Sequence, residues 1–231
     1  HYKGDRLDIS SMGKYFVLYK QGKITREELN LVESCACPGP GACCVMGTAN
    51  SMGIAAEAFG LSLPGNSGLC ATDAALERLA EEAGRKVMEH LRNNLRARDI
   101  MSPAAFHNLV KVACATSGST NLAIHFPAIA HELGYPFTLD DFDRISRQTP
   151  SLMEIKPSDP TYLMEDFGRA GGLQAVMKSM ASLLDTRVLT ASGQTLEKNL
   201  QKAEIRDPQV IRPLHNPRNK EGGLAVLKGN L

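Results

Sequence analysis

The chain has 231 residues, which at about 150 residues per domain allows one large domain or two small ones with a substantial core. Hydrophobic residues at 43% and charged residues at 22%, with 20 Gly and 12 Pro, exclude disordered and collagen-like classes. Twenty-six Lys and Arg against 25 Asp and Glu leave a net charge of +1, and the sequence holds neither a signal-peptide core nor an apolar run near the ~18 residues of a bilayer span. The expectation is a cytoplasmic protein with no nucleic-acid and no membrane partner.

Along the chain, Asp8–Tyr19 has helical apolar spacing and runs into a Gln21-Gly22-Lys23 turn. Thr25-Arg26-Glu27-Glu28 is a capping box that starts a second helix leading to Cys35. Four of the six cysteines, Cys35, Cys37, Cys43 and Cys44, then fall within ten residues. Crowded thiols in a reducing compartment point to metal or cluster ligation. The order Cys-x-Cys-x5-Cys-Cys lacks the paired Cys-x-x-Cys knuckles of a zinc ribbon, and adjacent Cys43 and Cys44 point apart in most backbone geometries. Cys70 and Cys114 read as small buried hydrophobes, while Cys35 and Cys44 stay open between burial and function. Pro38-Gly39-Pro40-Gly41 forms a turn with little side chain to cover its N–H groups. Thr48–Met52 leads from it into a small-residue helix, Gly53–Phe59, which Gly60 closes. Cys43 therefore stands just before a helix, whose positive end favours a thiolate and can hydrogen-bond cluster sulfurs.

Thr72 is the expected cap of a long helix with the apolar stripe Leu76, Leu79, Ala83, Val87, Leu91 and Leu95, read as ordinary scaffolding. Ser102-Pro103 caps the next helix, which buries Phe106, Leu109, Val110 and Ala113. The polar loop Thr116–Asn121 precedes another helix; its N-terminus suits an anion, and a plain capping turn is the simpler reading. His125 and His131 lie on different helix faces and make no zinc pair. Thr138-Leu139-Asp140-Asp141 caps a helix that stops before Pro150, and its carboxylates suit the helix dipole. Ser151–Ile155 reads as a short strand, Gly171-Gly172 precedes a helix around Leu173 and Met177, and Thr195 caps a further one. Two strand-like pieces follow, Gln209–Ile211 and Leu224–Leu227, in a tail that reads as an interdomain connection. Neither a Walker A sequence nor a Gly-x-Gly-x-x-Gly fingerprint is present.

Cys37-Pro38-Gly39-Pro40-Gly41-Ala42-Cys43 followed by Met46–Met52 resembles the dihydroxy-acid dehydratase and 6-phosphogluconate dehydratase family. The likeness continues in order through Glu57–Gly65, Gly118–Asn121, Leu139–Asp143, Lys156-Pro157-Ser158, Met164-Glu165-Asp166 and Gly222–Leu231, and so covers essentially the whole chain. The resemblance implies an α/β fold of which this chain is the helix-rich later part of a three-layer N-terminal domain, cut before a β-rich C-terminal domain. Residues 1–208 would belong to the first and 209–231 to the connection and its first strand. It implies a hydro-lyase that turns a 2,3-dihydroxy acid into a 2-keto acid, with a 2Fe-2S or 4Fe-4S iron-sulfur cluster and Mg2+ as cofactors. A small polyhydroxy acid is the implied substrate, and a homodimer or dimer of dimers the implied assembly. Cys43 matches the third cluster cysteine, with Gly41, Thr48 and Asn50 supporting its loop and Ser119, Thr120 and Asn121 as a substrate or active-site loop. The other cluster cysteines, the Mg2+ ligands and a base serine are matched nowhere in this chain, and opening on His1 instead of Met agrees with a segment of a longer protein.

Pro40 and Gly47 stand where dihydroxy-acid dehydratases often carry Cys and Phe, and Met46–Ala49 is closer to the sugar-acid dehydratases. The stretch from Asp140 to Ser158 leans the other way, toward branched-chain amino acid biosynthesis. Two readings from other classes accompany these: a non-catalytic zinc module on Cys35, Cys37, Cys43 and Cys44, and a redox thiol pair of Cys37 with Cys43.

Overall fold

The computed structural model describes residues 2–4, 6–37 and 39–230. Its α-helices are α1 (Met12–Lys20), α2 (Arg26–Ala36), α3 (Thr48–Ala58), α4 (Ala74–Arg92), α5 (Ala97–Ile100), α6 (Pro103–Ala115), α7 (Leu122–Leu133), α8 (Leu139–Arg147), α9 (Met164–Arg169), α10 (Gly172–Ser179) and α11 (Leu196–Asn199). Helices thus dominate, as expected of the helix-rich part of a dehydratase domain. No described helix is long and apolar enough to cross a membrane.

Capping chemistry sets several boundaries. The Thr25 hydroxyl accepts from the Glu28 N–H and the Glu28 carboxylate accepts in return, as do Thr138 and Asp141 at α8. Ser102 caps α6 with Pro103 in its first turn. At α4 the cap is Asp73, one residue beyond the expected Thr72; its carboxylate accepts from the Ala75 N–H at 2.8 Å.

α6 runs through the main core with its apolar face wrapped by α3, α7, α8 and α10. Phe106 at its centre meets Phe59, Phe126, Tyr135 and Phe137 edge-on, with ring centroids 5.0–6.4 Å apart. A smaller core joins α1 to α2 through Tyr15, Leu29 and Val32. Two sets of ion pairs connect this lobe to the rest. Arg6 reaches Asp166 and Glu165 at 2.8 Å each, and Asp8 accepts from Lys156 Nζ at 2.7 Å.

Three sequence expectations need correction. Ser151–Ile155 is no strand: only Ser151 makes a bridge, to Asn219, because Leu152, Met153 and Ile155 are all buried and the backbone bonds elsewhere. The N–H groups of Leu152 and Met153 donate to the Ala115 carbonyl at the end of α6. Residues 209–211 form a turn, with the Ile211 N–H donating to Asp207 O, and 224–227 is extended without a partner strand among the described residues. Finally, α4 has no buried residue: Leu76, Leu79 and Ala83 are half-covered, while Val87 and Leu91 are 63% and 71% exposed. The stripe predicted from periodicity exists, but its C-terminal end at Val87 and Leu91 is largely exposed.

Candidate functional site

Cys43 sits on a short loop held from three directions. Asn50, in the first turn of α3, donates its side-chain amide to the carbonyls of Cys43 at 2.6 Å and Val45 at 2.7 Å. The Met46 N–H donates to Lys156 O at 2.7 Å, and the Met164 N–H donates to Cys44 O at 2.9 Å. α3 begins at Thr48, five residues earlier than the sequence suggested, because Gly47 already serves as its N-cap. No side chain caps that first turn, so its N–H groups and the positive end of the dipole stay uncovered beside the loop. The Cys43 thiol is exposed, 4.0 Å from Val45 O, and a Cβ on Gly47 would lie 3.8 Å from its sulfur. Gly41 has φ +88°, and a Cβ there would fall 2.6 Å from that of Ala71, so the turn entering the loop requires glycine.

The polar loop after α6 comes to the same helix end. Thr48 Oγ1 and Ser119 Oγ are 3.0 Å apart, and the Asn121 side-chain amide donates to Thr48 Oγ1 at 2.7 Å. The Ser119 N–H donates to Ser51 Oγ at 2.8 Å, and Ser119 Oγ accepts from the Asn121 N–H at 3.3 Å. Both hydroxyl oxygens therefore already accept an amide proton. Their mutual bond uses one O–H, and the other finds no acceptor among the described residues, leaving a donor for a ligand. Thr120 takes no part in this ring: it is exposed, and its carbonyl accepts from the Ala123 N–H. Thus Thr48, Asn50, Ser119 and Asn121 are brought together around the Cys43 loop, and Thr120 is not.

The remaining cysteines sort by environment. Cys37 is exposed, Cys35 and Cys44 are half-buried, and burial followed by the Asp8 charge pushes the Cys44 thiol up. Cys114 is buried in α6, as expected of a small hydrophobe, and burial pushes its thiol up to about 12. Cys70 departs from the same expectation and is exposed, in the surface turn before α4. No group of three or more Cys, His, Asp and Glu side chains converges among the described residues, so the four clustered cysteines do not form the ligand set a zinc module needs.

Two supporting groups had no assigned role in the sequence. Asp8 is fully buried. Burial raises its pKa, but the Lys156 ammonium and the hydroxyl and backbone N–H of Ser10 outweigh this and leave it below the usual carboxylate range. Lys156 is thereby tied through its side chain to the N-terminal lobe and through its carbonyl to the Cys43 loop. Glu57, also buried, accepts from the N–H groups of Gly65 and Ser67 and from Gln174. Lys156 and Glu57 both lie inside the strings that carry the family resemblance, which was the available signal.

A family model described as dihydroxy-acid/6-phosphogluconate dehydratase N-terminal matches residues 1–199. The chain belongs to this family. Dihydroxy-acid dehydratase of Moorella thermoacetica is 42% identical over 232 residues, which cover 100% of this chain and 42% of that protein. The namesake of Lachnoclostridium phytofermentans is 44% identical over 99% of this chain and 41% of its own length. That of Sulfurisphaera tokodaii is 41% identical over 100% of this chain and 42% of its own length. The chain therefore spans about two fifths of the length of the curated relatives it matches.

Against the dehydratase family's implied cofactors, the donor set fits unevenly. An exposed thiol beside an uncapped helix end suits one thiolate ligand of an iron-sulfur cluster. For Mg2+, which takes oxygen ligands, no group of three or more ligating side chains converges among the described residues, and the residues here assign it no site.

Proposed function

We propose that this chain is part of the N-terminal domain of an iron-sulfur dehydratase, a hydro-lyase acting on a 2,3-dihydroxy acid, in which Cys43 is one thiolate ligand. The observation that carries the reading is the exposed Cys43 thiol on a loop clamped by Asn50 at the uncapped start of α3. When bound, the cluster supplies the Lewis acidity that departure of hydroxide, a poor leaving group, requires.

The chain's own residues prepare that position. The first-turn N–H groups of α3 carry no side-chain cap and stand beside Cys43, where they can hydrogen-bond sulfur. Asn50 holds the two carbonyls flanking the thiol, so the loop is ordered before any ligand arrives. The Thr48–Ser119–Asn121 ring presents one unused O–H donor beside it, suited to a hydroxyl or carboxylate oxygen of a polyhydroxy acid. A dihydroxy acid is the preferred substrate class, on the names of the relatives, and the stretch from Asp140 to Ser158 favours a branched-chain one. A sugar acid is the second reading, favoured by Gly47, whose lack of a side chain leaves space next to the Cys43 sulfur.

The test is Cys43→Ser in the full-length protein, with iron, acid-labile sulfide and turnover of both acid classes measured. Loss of cluster and of dehydration is expected. Normal iron and sulfide in the variant would refute the ligand assignment, and turnover of neither acid by cluster-loaded parent protein would refute the activity.

A further inference from the structure

Ser117 is a non-glycine residue with φ +50°, buried, at the end of α6 and immediately before the Gly118–Asn121 loop. A serine in the left-handed region carries a conformational cost, and it persists only where the surroundings hold it. Its surroundings are unusual. The extended segment 222–226 lies over it: the Gly222 N–H donates to Ser146 O at 2.8 Å, and the Gly223 N–H donates to Cys114 O at 3.0 Å. Ser146 Oγ donates to Leu224 O, and the Val226 N–H donates to Asp143 Oδ1 at 3.2 Å. The backbone of Gly223 is pressed so closely on Ser117 that a Cβ at Gly223 would clash with Ser117 Oγ and Cβ and lie 2.7 Å from its Cα. On the other side Ser117 Oγ bonds Ser151 Oγ at 3.0 Å. The strained residue is thus clamped between the 222–226 segment and Ser151.

We propose that Gly223 and Ser117 form a keyed contact that positions the Ser119 loop against α3, making Gly223 a positioning residue for the candidate site. The direction in which the chain leaves α6 is set at Ser117. Only two residues later the Ser119 N–H must meet Ser51 Oγ at 2.8 Å and its hydroxyl must meet Thr48. A bulkier residue 223 forces either the strap or Ser117 to move, and a shift at Ser117 passes directly into Ser119. The site role of the ring rests on the proposed function, but the keyed contact itself does not.

The test is Gly223→Ala in the full chain, alone and combined with Ser117→Gly. The double variant removes Ser117 Oγ and Cβ, the two atoms nearest the new methyl, and installs a residue that accepts φ +50° freely, leaving only the approach to the Cα. Hydrogen exchange is read at the Ser119 amide, bonded across to α3, and at the Leu109 amide inside α6 as a reference for global stability. Overpacking in G223A is expected to speed exchange at Ser119 about tenfold or more. At Leu109 the increase should be smaller, and S117G/G223A should recover part of the protection at Ser119, only part because the methyl still meets the residue 117 Cα. Equal acceleration at both amides, no acceleration at Ser119, or no recovery in the double variant would overturn the proposal. Should G223A alone fail to fold, the double variant decides: a folded double variant supports the keyed contact and a second failure overturns it. Iron content on the same samples separates this from the ligand assignment, since the exchange result stands whether or not a cluster is bound.

Discussion

Replacing Asn50 by alanine removes the two hydrogen bonds that hold the Cys43 loop, at 2.6 and 2.7 Å. A typical bond of this kind contributes about 1 kcal/mol net. The one to Cys43 O is exposed, so water partly replaces it, and the combined loss is about 1.5 kcal/mol. Against this, Asn50 lies in the first turn of α3, and Asn→Ala in a helix gains roughly 0.6 kcal/mol. The net global cost is therefore about 1 kcal/mol, or a fall in Tm of about 2–4 °C for a chain of this size. The local cost is larger than the global one, because the helix gain does nothing for the loop. The Met46 amide, which donates to Lys156 O, reports loop opening, and its exchange should rise about tenfold in Asn50→Ala. Asn50→Asp preserves shape and suits the helix N-terminus, yet it faces two carbonyls with an oxygen in place of the amide donor. It should lose loop protection as fully as alanine while keeping more of the Tm. Unchanged Met46 exchange in both variants would show that Asn50 does not hold the loop.

Asp8→Asn leaves Lys156 without its buried partner and should cost about 3 kcal/mol at pH 7, measured by urea unfolding. Because the folded pKa of Asp8 is depressed, its stabilisation is present above pH ~4 and is lost as pH falls through the folded value, so the variant's stability should vary less with pH in that range. Alkylation followed by peptide mapping at pH 8 should modify exposed Cys37 and Cys43 readily in protein without bound metal, and Cys70 more slowly, because partial burial followed by the Glu165 charge pushes its thiol up. Cys114, with its thiol pushed up to about 12 and its side chain buried, should react only on unfolding. Phe106→Ala, at the centre of the ring cluster, should cost about 3–5 kcal/mol by the same urea assay; a loss below 1 kcal/mol would mean the cluster is not the centre of the core.

What could be read from sequence followed the range of the physics involved. Capping is a three-residue interaction, so Thr25, Ser102 and Thr138 marked their helices directly; Thr195 stands at the start of α11 without a side-chain bond, and Thr72 for Asp73 is a shift of a single residue. Periodicity identified the amphipathic character of α4 but not its neighbours, since a 3.6-residue repeat describes a face and says nothing of what covers it. The run Leu152–Ile155 is apolar at nearly every position, a pattern shared by buried strands and by any buried extended segment, and here the end of α6 took the hydrogen bonds a ladder would have taken. At the candidate site, Cys43, Thr48 and Asn50 were near one another in sequence. Ser119 joins Thr48 across 71 residues, and Lys156 joins Asp8 across 148, and no spacing rule connects such pairs.

A single thiolate is a weak hold unless it is already in place, because each loop residue ordered on binding costs about 1–2 kcal/mol of backbone entropy. The loop from Cys43 to Met46 has much of that ordering done in advance, by Asn50 from α3, by Lys156 from the segment before α9, and by Met164 from α9 itself. These anchors come from parts of the chain whose own positions depend on the Asp8–Lys156 pair and on the core under α6. Substitutions far from Cys43 should therefore lower cluster retention in proportion to the loop opening they cause. Lys156→Met offers the sharpest case: it keeps the backbone carbonyl that binds Met46 while leaving Asp8 unpaired. If Met46 exchange stays at the parent value in Lys156→Met while stability falls, the ion pair supports the fold alone; an increase at Met46 beyond the global change places it in the support of the loop.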